Sequence, residues 1–273
     1  MASGPGDVEG VNPSLEVLDK GRCTDAHPVP LLFVHGGWHG AWCWDEYFLD
    51  FFSDRGYRAL AVSLRGHGNS PTSKPLSTCS IADYVDDVAS VADSLPARPV
   101  VIGHSMGGFV VQKYLESRAA PAGVLIASVP ARGGFGTAMR LLRRHPWLTT
   151  MALITGEWLR CVGTAQLARE SFFARASPSD VARFAALLGE ESQRAAYDAL
   201  LLNLPRTKRV TTPLLVLGAG DDRSVVPREV KSTARAYRTE AEFFPEMGHD
   251  LMLEPGWDAV AERIDTWLAA RGV

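Results

Sequence analysis

The sequence predicts an α/β fold, with a mostly parallel central sheet flanked by helices and a helical cap inserted late in the chain. Three observations predict it. The strands read as continuous apolar runs, as strands buried on both faces do. They alternate with segments of helical periodicity through the first half of the chain. One strand, Val100-Val101-Ile102, runs through Gly103-His104-Ser105-Met106-Gly107-Gly108 directly into a helix start. Such a strand-to-helix turn pushes a serine hydroxyl into the space above the sheet, and its glycines stand where strand and helix pass too close for a Cβ.

The elements follow in order. Residues 1–12 are small, polar and acidic, and read as a disordered lead-in. A first strand is expected at 15–18 and a buried one at 30–34, leading into His35-Gly36-Gly37. Residues 45–55 carry Tyr47, Phe48, Phe51 and Phe52 at helical spacing, and Gly56 ends that helix. A strand at 57–64 feeds the loop Arg65-Gly66-His67-Gly68-Asn69-Ser70-Pro71. The helix 81–95 lines up Ile81, Tyr84, Val85, Val88, Val91 and Leu95 until Pro96 stops it. The serine-bearing strand and helix come next, then a strand at 122–127.

From 131 to 208 the rhythm changes. Helical patterns run at 137–142, 147–154, 165–173 and 178–188, the last with Ser177 or Ser179 as cap, and no strand pattern interrupts them. Strand character returns at 212–218 and 241–244, and 257–271 is a closing helix. The expected organisation is a core of residues 13–130 and 209–273 with a cap at 131–208.

Composition narrows the function. The chain has 273 residues, 46% hydrophobic, and a formal charge of −3, so one large domain can bury a core and no basic stripe invites nucleic acid. Arg140, Arg143 and Arg144 sit in one local segment and read as a solvated helix face. No run reaches the length of a membrane span, so no membrane insertion is expected. Cys23, Cys43, Cys79 and Cys161 match no zinc or CxxC spacing; four free thiols suit a cytoplasmic protein, and no metal is expected. No strand leads into Gly-x-Gly-x-x-Gly, which argues against dinucleotide binding.

A serine hydroxyl at neutral pH needs a base, and the base needs an orienting acid. On this turn the three follow in the chain order serine, acid, histidine. After Ser105 there are two histidines, His145 and His249. His145 lies in the helical stretch, whereas His249 follows the last strand on a glycine-bearing loop, so His249 is the candidate base. The acid belongs at the end of strand 212–218, where Asp222 is favoured and Asp221 is the alternative. A tetrahedral oxyanion needs two N–H donors. Met106, at the helix N-terminus, is one candidate and Gly37, on the loop after the second strand, the other. His35, His67 and His104 read as structural.

These segments resemble the α/β-hydrolase superfamily over nearly the whole chain. Carrying the likeness are Phe33-Val34-His35-Gly36-Gly37-Trp38, Leu64-Arg65-Gly66-His67-Gly68-Asn69-Ser70, the serine turn, the Asp221-Asp222 loop and Gly248-His249. His35-Gly36-Gly37-Trp38-His39-Gly40-Ala41-Trp42-Cys43-Trp44 is similar to the methylesterase and hydroxynitrile lyase branch and its bacterial relatives. Those lyases carry a lysine just after the catalytic histidine, where this chain has Asp250. The resemblance implies a serine hydrolase acting on a carboxylic ester, lactone or thioester, with Ser105, Asp222 and His249 as catalytic residues and no cofactor. The same triad also serves lyases and C–C bond hydrolases, and a non-catalytic binding member of the fold is a third class. The apolar composition of 131–208 leads us to expect a small hydrophobic ester-type substrate, with Trp38, Trp147 and Trp158 in the pocket, and a monomer or homodimer.

Overall fold

The computed structural model describes residues 14–273. The expected lead-in at 1–12 lies outside the described residues. Seven strands form one sheet in the order β1-β3-β2-β4-β5-β6-β7. They are β1 Val17–Lys20, β2 Leu31–Val34, β3 Ala59–Val62, β4 Val100–His104, β5 Gly123–Ile126, β6 Leu214–Ala219 and β7 Ala241–Phe244. Every pairing is parallel except that of the edge strand β1 with β3.

The all-apolar strands are explained by two cores, one on each sheet face. On β2, Leu31 and Phe33 point into one and Leu32 and Val34 into the other, each with no solvent exposure. The first face carries Phe33, Trp44, Phe48 and Phe52 in mutual ring contact, with centroids 5.0 to 6.2 Å apart. Phe33 comes from β2, Trp44 from α1 (Trp42–Asp45), and Phe48 and Phe52 from α2 (Phe48–Asp54). Sequence periodicity runs these two together as one helix at 45–55. They separate because Tyr47 leaves helical geometry, at φ −146°, and stacks on Trp257 at 4.8 Å.

The second face is covered by α3 (Ile81–Ser94), α4 (Ser105–Tyr114) and α10 (Pro227–Ala236). Helix α3 begins with a reciprocal cap: the Ser80 hydroxyl accepts the Asp83 N–H at 3.2 Å, and the Asp83 carboxylate accepts the Ser80 N–H at 2.7 Å. Sequence patterning does not announce α10, because only Val230, Thr233 and Ala234 of its charged segment are buried. The closing helix α11 (Trp257–Ala269) returns to the first face.

Between β5 and β6 the chain contains helices and no strand: α5 Phe135–Arg144, α6 Pro146–Thr155, α7 Ala165–Phe172, α8 Pro178–Ala185 and α9 Gln193–Tyr197. Ser177, of the two serines offered, caps α8 by accepting the Asp180 N–H at 3.1 Å. No helix among the described residues is long and apolar enough to cross a membrane.

Strand order fixes where a site can form. After β2 the chain pairs β3 on one side and then crosses over to pair β4 on the other. Ligands of open α/β sheets bind beyond the carboxyl ends of the strands at such a reversal. Here those ends are the loop after β2, with Gly37, and the turn after β4, with Ser105.

Candidate active site

Ser105 opens α4 at φ +50°, left-handed backbone that a side-chain-bearing residue adopts only under constraint. The glycines around it supply the constraint. A Cβ at Gly107 would overlap the carbonyl oxygens of Val34 and His35, and one at Gly103 would overlap the Gly107 carbonyl. Strand β4, helix α4 and the loop after β2 are thus in backbone contact, and the serine has only the sheet's upper edge to face.

His249 and Asp222 meet it there. His249 Nε2 lies 2.8 Å from Ser105 Oγ, and His249 Nδ1 lies 2.8 Å from Asp222 Oδ2. The other Asp222 oxygen accepts the N–H groups of Ser224 at 2.7 Å and Val225 at 2.8 Å, which fixes the carboxylate. An ionised Asp222 requires the proton on Nδ1, leaving Nε2 free to accept from the serine hydroxyl. Burial alone would push the His249 pKa down; the charge and hydrogen bond of Asp222, with a further contribution from Asp250, outweigh it and raise the pKa above the ordinary imidazole value. Asp221, the alternative acid, is exposed. His145 is remote from this cluster in role and pairs with Glu170 at 3.0 Å.

The loop after β2 is pinned peptide by peptide. Leu64 N–H donates to His35 Nε2 at 3.0 Å, so His35 Nδ1–H donates to the Gly36 carbonyl at 2.8 Å. The Gly37 carbonyl is bonded by His39 Nδ1 at 2.8 Å, and His39 Nε2 reaches Asp250 Oδ2 at 3.1 Å. With both carbonyls held, the Gly36–Gly37 peptide has its N–H side turned away from His35. No protein acceptor among the described residues takes the Gly37 or Met106 N–H. Trp38 sits at φ +67°, a strained conformation for a bulky residue that costs about 1–3 kcal/mol.

Three buried acids around the site lie outside the residues that sequence pattern singles out. Asp250 is fully buried between His39 and His104; burial alone would raise its pKa, but His39 first and His104 and His249 after it lower it. His104 donates from Nε2 to the His249 carbonyl at 3.0 Å, and burial holds its pKa down at about 3. Glu254 accepts the N–H groups of Gly248 and Arg175, both at 3.0 Å, and that of Ala174, tying the His249 loop to the end of α7. Its sequence signal is a lone acid after Leu251-Met252-Leu253. Glu191 lies across the loop after β2, and nothing in the Glu190-Glu191 pair distinguishes it from a solvated charge.

A cavity opens on Ser105 and His249. Trp38, Leu141, Trp158 and Phe172 supply apolar wall, and Arg144, Glu191 and Arg223 are its charged members. Of the three tryptophans named from sequence for a substrate pocket, Trp38 and Trp158 line this cavity. Trp147 does not: it stands 73% exposed on the outer side of α6, away from the lining residues. Helix α6 is apolar nearly all round, so its sequence carries no signal of which side faces inward.

A profile of the alpha/beta hydrolase family matches residues 31–263. The chain belongs to that family. Among its relatives, a non-heme chloroperoxidase of Streptomyces lividans is 39% identical over 107 residues, 37% of each chain. Methylesterase 18 of Arabidopsis thaliana is 34% identical over 79 residues, 28% of this chain and 29% of that protein. The matched stretches thus span about a third of these curated relatives. A thermophilic esterase from Thermogutta terrifontis superposes with a TM-score of 0.73 at 20% identity, covering 95% of this chain and 94% of its own, which shows a shared fold.

Proposed function

We propose that the protein is a serine hydrolase that cleaves a carboxylic ester of a small hydrophobic molecule through an acyl-enzyme. The observation that carries this reading is the unbroken chain from Ser105 Oγ to His249 to Asp222, with 2.8 Å at each link. Ser105 Oγ attacks the carbonyl carbon while His249 Nε2 takes its proton. Asp222 holds the imidazole and stabilises its protonated form. The oxyanion rests on the N–H groups of Gly37 and Met106. His249 then gives the proton to the leaving alcohol. Water, deprotonated by His249, attacks the acyl carbon and releases the acid and Ser105. No metal or cofactor takes part.

The esterase and methylesterase among the relatives support the ester as substrate class, and the wall of Trp38, Trp158 and Phe172 supports a hydrophobic one. We take residues 131–208 as a cap over the site. Free thiols at Cys23, Cys43, Cys79 and Cys161 support a cytoplasmic setting.

The test is turnover of p-nitrophenyl acetate, butyrate and octanoate together with fluorophosphonate labelling, in the wild type and in Ser105→Ala. Labelling and turnover that vanish together in the variant support the reading. Labelling of Ser105 without ester turnover points to lyase or C–C bond chemistry, assayed on a cyanohydrin or a vinylogous diketone. A folded wild type with neither signal leaves a ligand-binding member of the fold.

A further inference from the structure

The segment between α8 and α9 crosses the loop after β2 and grips one residue of it from two sides. Gly189 N–H donates to the Trp38 carbonyl at 2.8 Å, and Trp38 N–H donates to Glu191 Oε2 at 3.3 Å. The Glu191 carboxylate is 5% exposed although it borders the cavity. Its remaining hydrogen-bonding capacity goes to two core side chains and to the next peptide of its own segment. Oε2 also faces His67 Nε2 at 3.2 Å, and Oε1 accepts the Tyr84 hydroxyl at 3.1 Å and the Ser192 N–H at 2.6 Å. His67 Nδ1 faces the Arg65 carbonyl at 3.2 Å, so both of its nitrogens face acceptors, an arrangement that favours the cation. Burial works against that cation, but Glu191 outweighs it and raises the His67 pKa.

We propose that Glu191 is a positioning residue that couples seating of the helical segment 131–208 to assembly of the oxyanion site. The inference rests on the esterase reading above, in which Gly37 N–H is an oxyanion donor. Three observations join in it. The Gly36 and Gly37 carbonyls are held from the core by His35 and His39, which fixes one side of the loop. The Trp38 peptide groups are held from the other side by Gly189 and Glu191, and they hold a left-handed Trp38 that the chain would not adopt unaided. A Cβ built on Gly37 would meet Glu191 Oε2 at 3.1 Å, so the candidate donor residue rests directly against this carboxylate. His67 supplies the countercharge that keeps a carboxylate beside a developing oxyanion from opposing it. When the helical segment lifts, Glu191 and Gly189 leave together, Trp38 relaxes, and the Gly37 N–H loses its aim. Catalytic competence is thereby reserved for the closed state.

The experiment compares wild type, Glu191→Gln and Glu191→Ala in three measurements. These are kcat and KM on p-nitrophenyl butyrate, inhibition by an alkyl trifluoromethyl ketone, and inhibition by N-phenylbutyramide. The ketone adds Ser105 Oγ to its carbonyl carbon, His249 takes the proton, and the resulting hemiketal oxyanion needs the donors. The amide binds without forming one. Glutamine keeps the volume but cannot accept from all of the donors now served, so Gln carries the test if Ala fails to fold. We expect kcat to fall about tenfold in Glu191→Gln and about 10²-fold in Glu191→Ala, the lower end of what losing an oxyanion donor costs. KM stays within about twofold, the ketone weakens in step with kcat/KM, and the amide does not. Unchanged kcat in Glu191→Gln overturns the proposal, as does equal weakening of ketone and amide, which assigns Glu191 to pocket shape alone. Failure of the esterase reading is separately visible, because the wild type itself then neither turns over nor labels.

Discussion

Helices α4 and α6 are each ten residues long and largely apolar, yet they have opposite fates. Helix α4 buries every residue from Met106 to Gln112. Helix α6 buries only Thr149 and Ala152 and leaves Trp147 at 73% and Ile154 at 72% exposure. The first lies between the sheet and α3, so burial on both sides holds it; the second packs against α5 and the short turn Trp158–Cys161. The helical segment joins the core through apolar side chains, with Phe172 and Phe173 at the end of α7 and Val181 and Phe184 of α8 buried in it, and through a set of polar bonds. Arg183 grips Glu46 through two bonds of 2.8 and 2.7 Å, Arg140 bonds Glu229 at 2.9 Å, and the Ser192 hydroxyl bonds the Cys79 carbonyl at 2.5 Å. The difference is one of rigidity: Ser105 heads a helix held from both sides, whereas α6 buries two residues and belongs to the low-stability end of the molecule.

The largest effect should come from the rigid region. Ser105→Ala should lower kcat by about 10⁴- to 10⁶-fold, as loss of the nucleophile does when the remaining groups can still act on water. The same substitution should leave the melting temperature nearly unchanged, since the backbone at φ +50° is imposed by Gly103 and Gly107 rather than by the hydroxyl. Turnover that survives in this variant would remove Ser105 from the chemistry and break the assignment of reaction to the fixed core.

Asp222→Asn should follow at about 10⁴-fold, because an amide permits the wrong imidazole tautomer. The pH profile sharpens the point. His249 must be neutral to accept a proton, so wild-type kcat/KM should rise with pH and reach half its plateau above about 6.5, the ordinary imidazole value, since the His249 pKa is raised. Without the Asp222 charge, burial dominates and the residual activity should have its acid limb at lower pH. Stability runs the other way. A raised folded-state pKa contributes stability that is fully present below about pH 6.5 and is lost as pH rises through the folded value, so His249 stabilises most where it catalyses least. Coincident acid limbs in wild type and Asp222→Asn would contradict the coupling.

In the core itself, Phe33→Ala should destabilise by about 3–5 kcal/mol in denaturant titration, since Phe33 has no exposure and touches the rings of Trp44, Phe48 and Phe52. A change under about 1 kcal/mol would mean that this face is as loosely held as α6. The sequence foretells such positions well. Apolar runs of strand length and the glycines of the serine turn act locally, so the order of β2, β3, β4, β5, β6 and β7 and the approach of Ser105, Asp222 and His249 follow from pattern and chain order. What stays hidden is set by contacts distant in sequence. Glu191 meets Trp38 across 153 positions and His39 meets Asp250 across 211, and no local pattern encodes either. The split between α1 and α2 is of the same kind, because it depends on Trp257 reaching Tyr47.

The smallest effect tests the comparison at its weakest point. Trp147 and Ile154 are seven positions apart, two turns of one helix, and therefore share its outer side. Trp147→Ser and Ile154→Ser remove apolar surface that is already in water, so each should change unfolding free energy by no more than about 0.5 kcal/mol. Ester turnover should be unaltered, because neither side chain lines the cavity. If either substitution instead costs more than about 2 kcal/mol, or shifts the chain-length preference among the p-nitrophenyl esters, the outer side of α6 is covered in solution. Helix α6 would then be held by apolar burial after all, and the contrast with α4 would be one of partner rather than of rigidity.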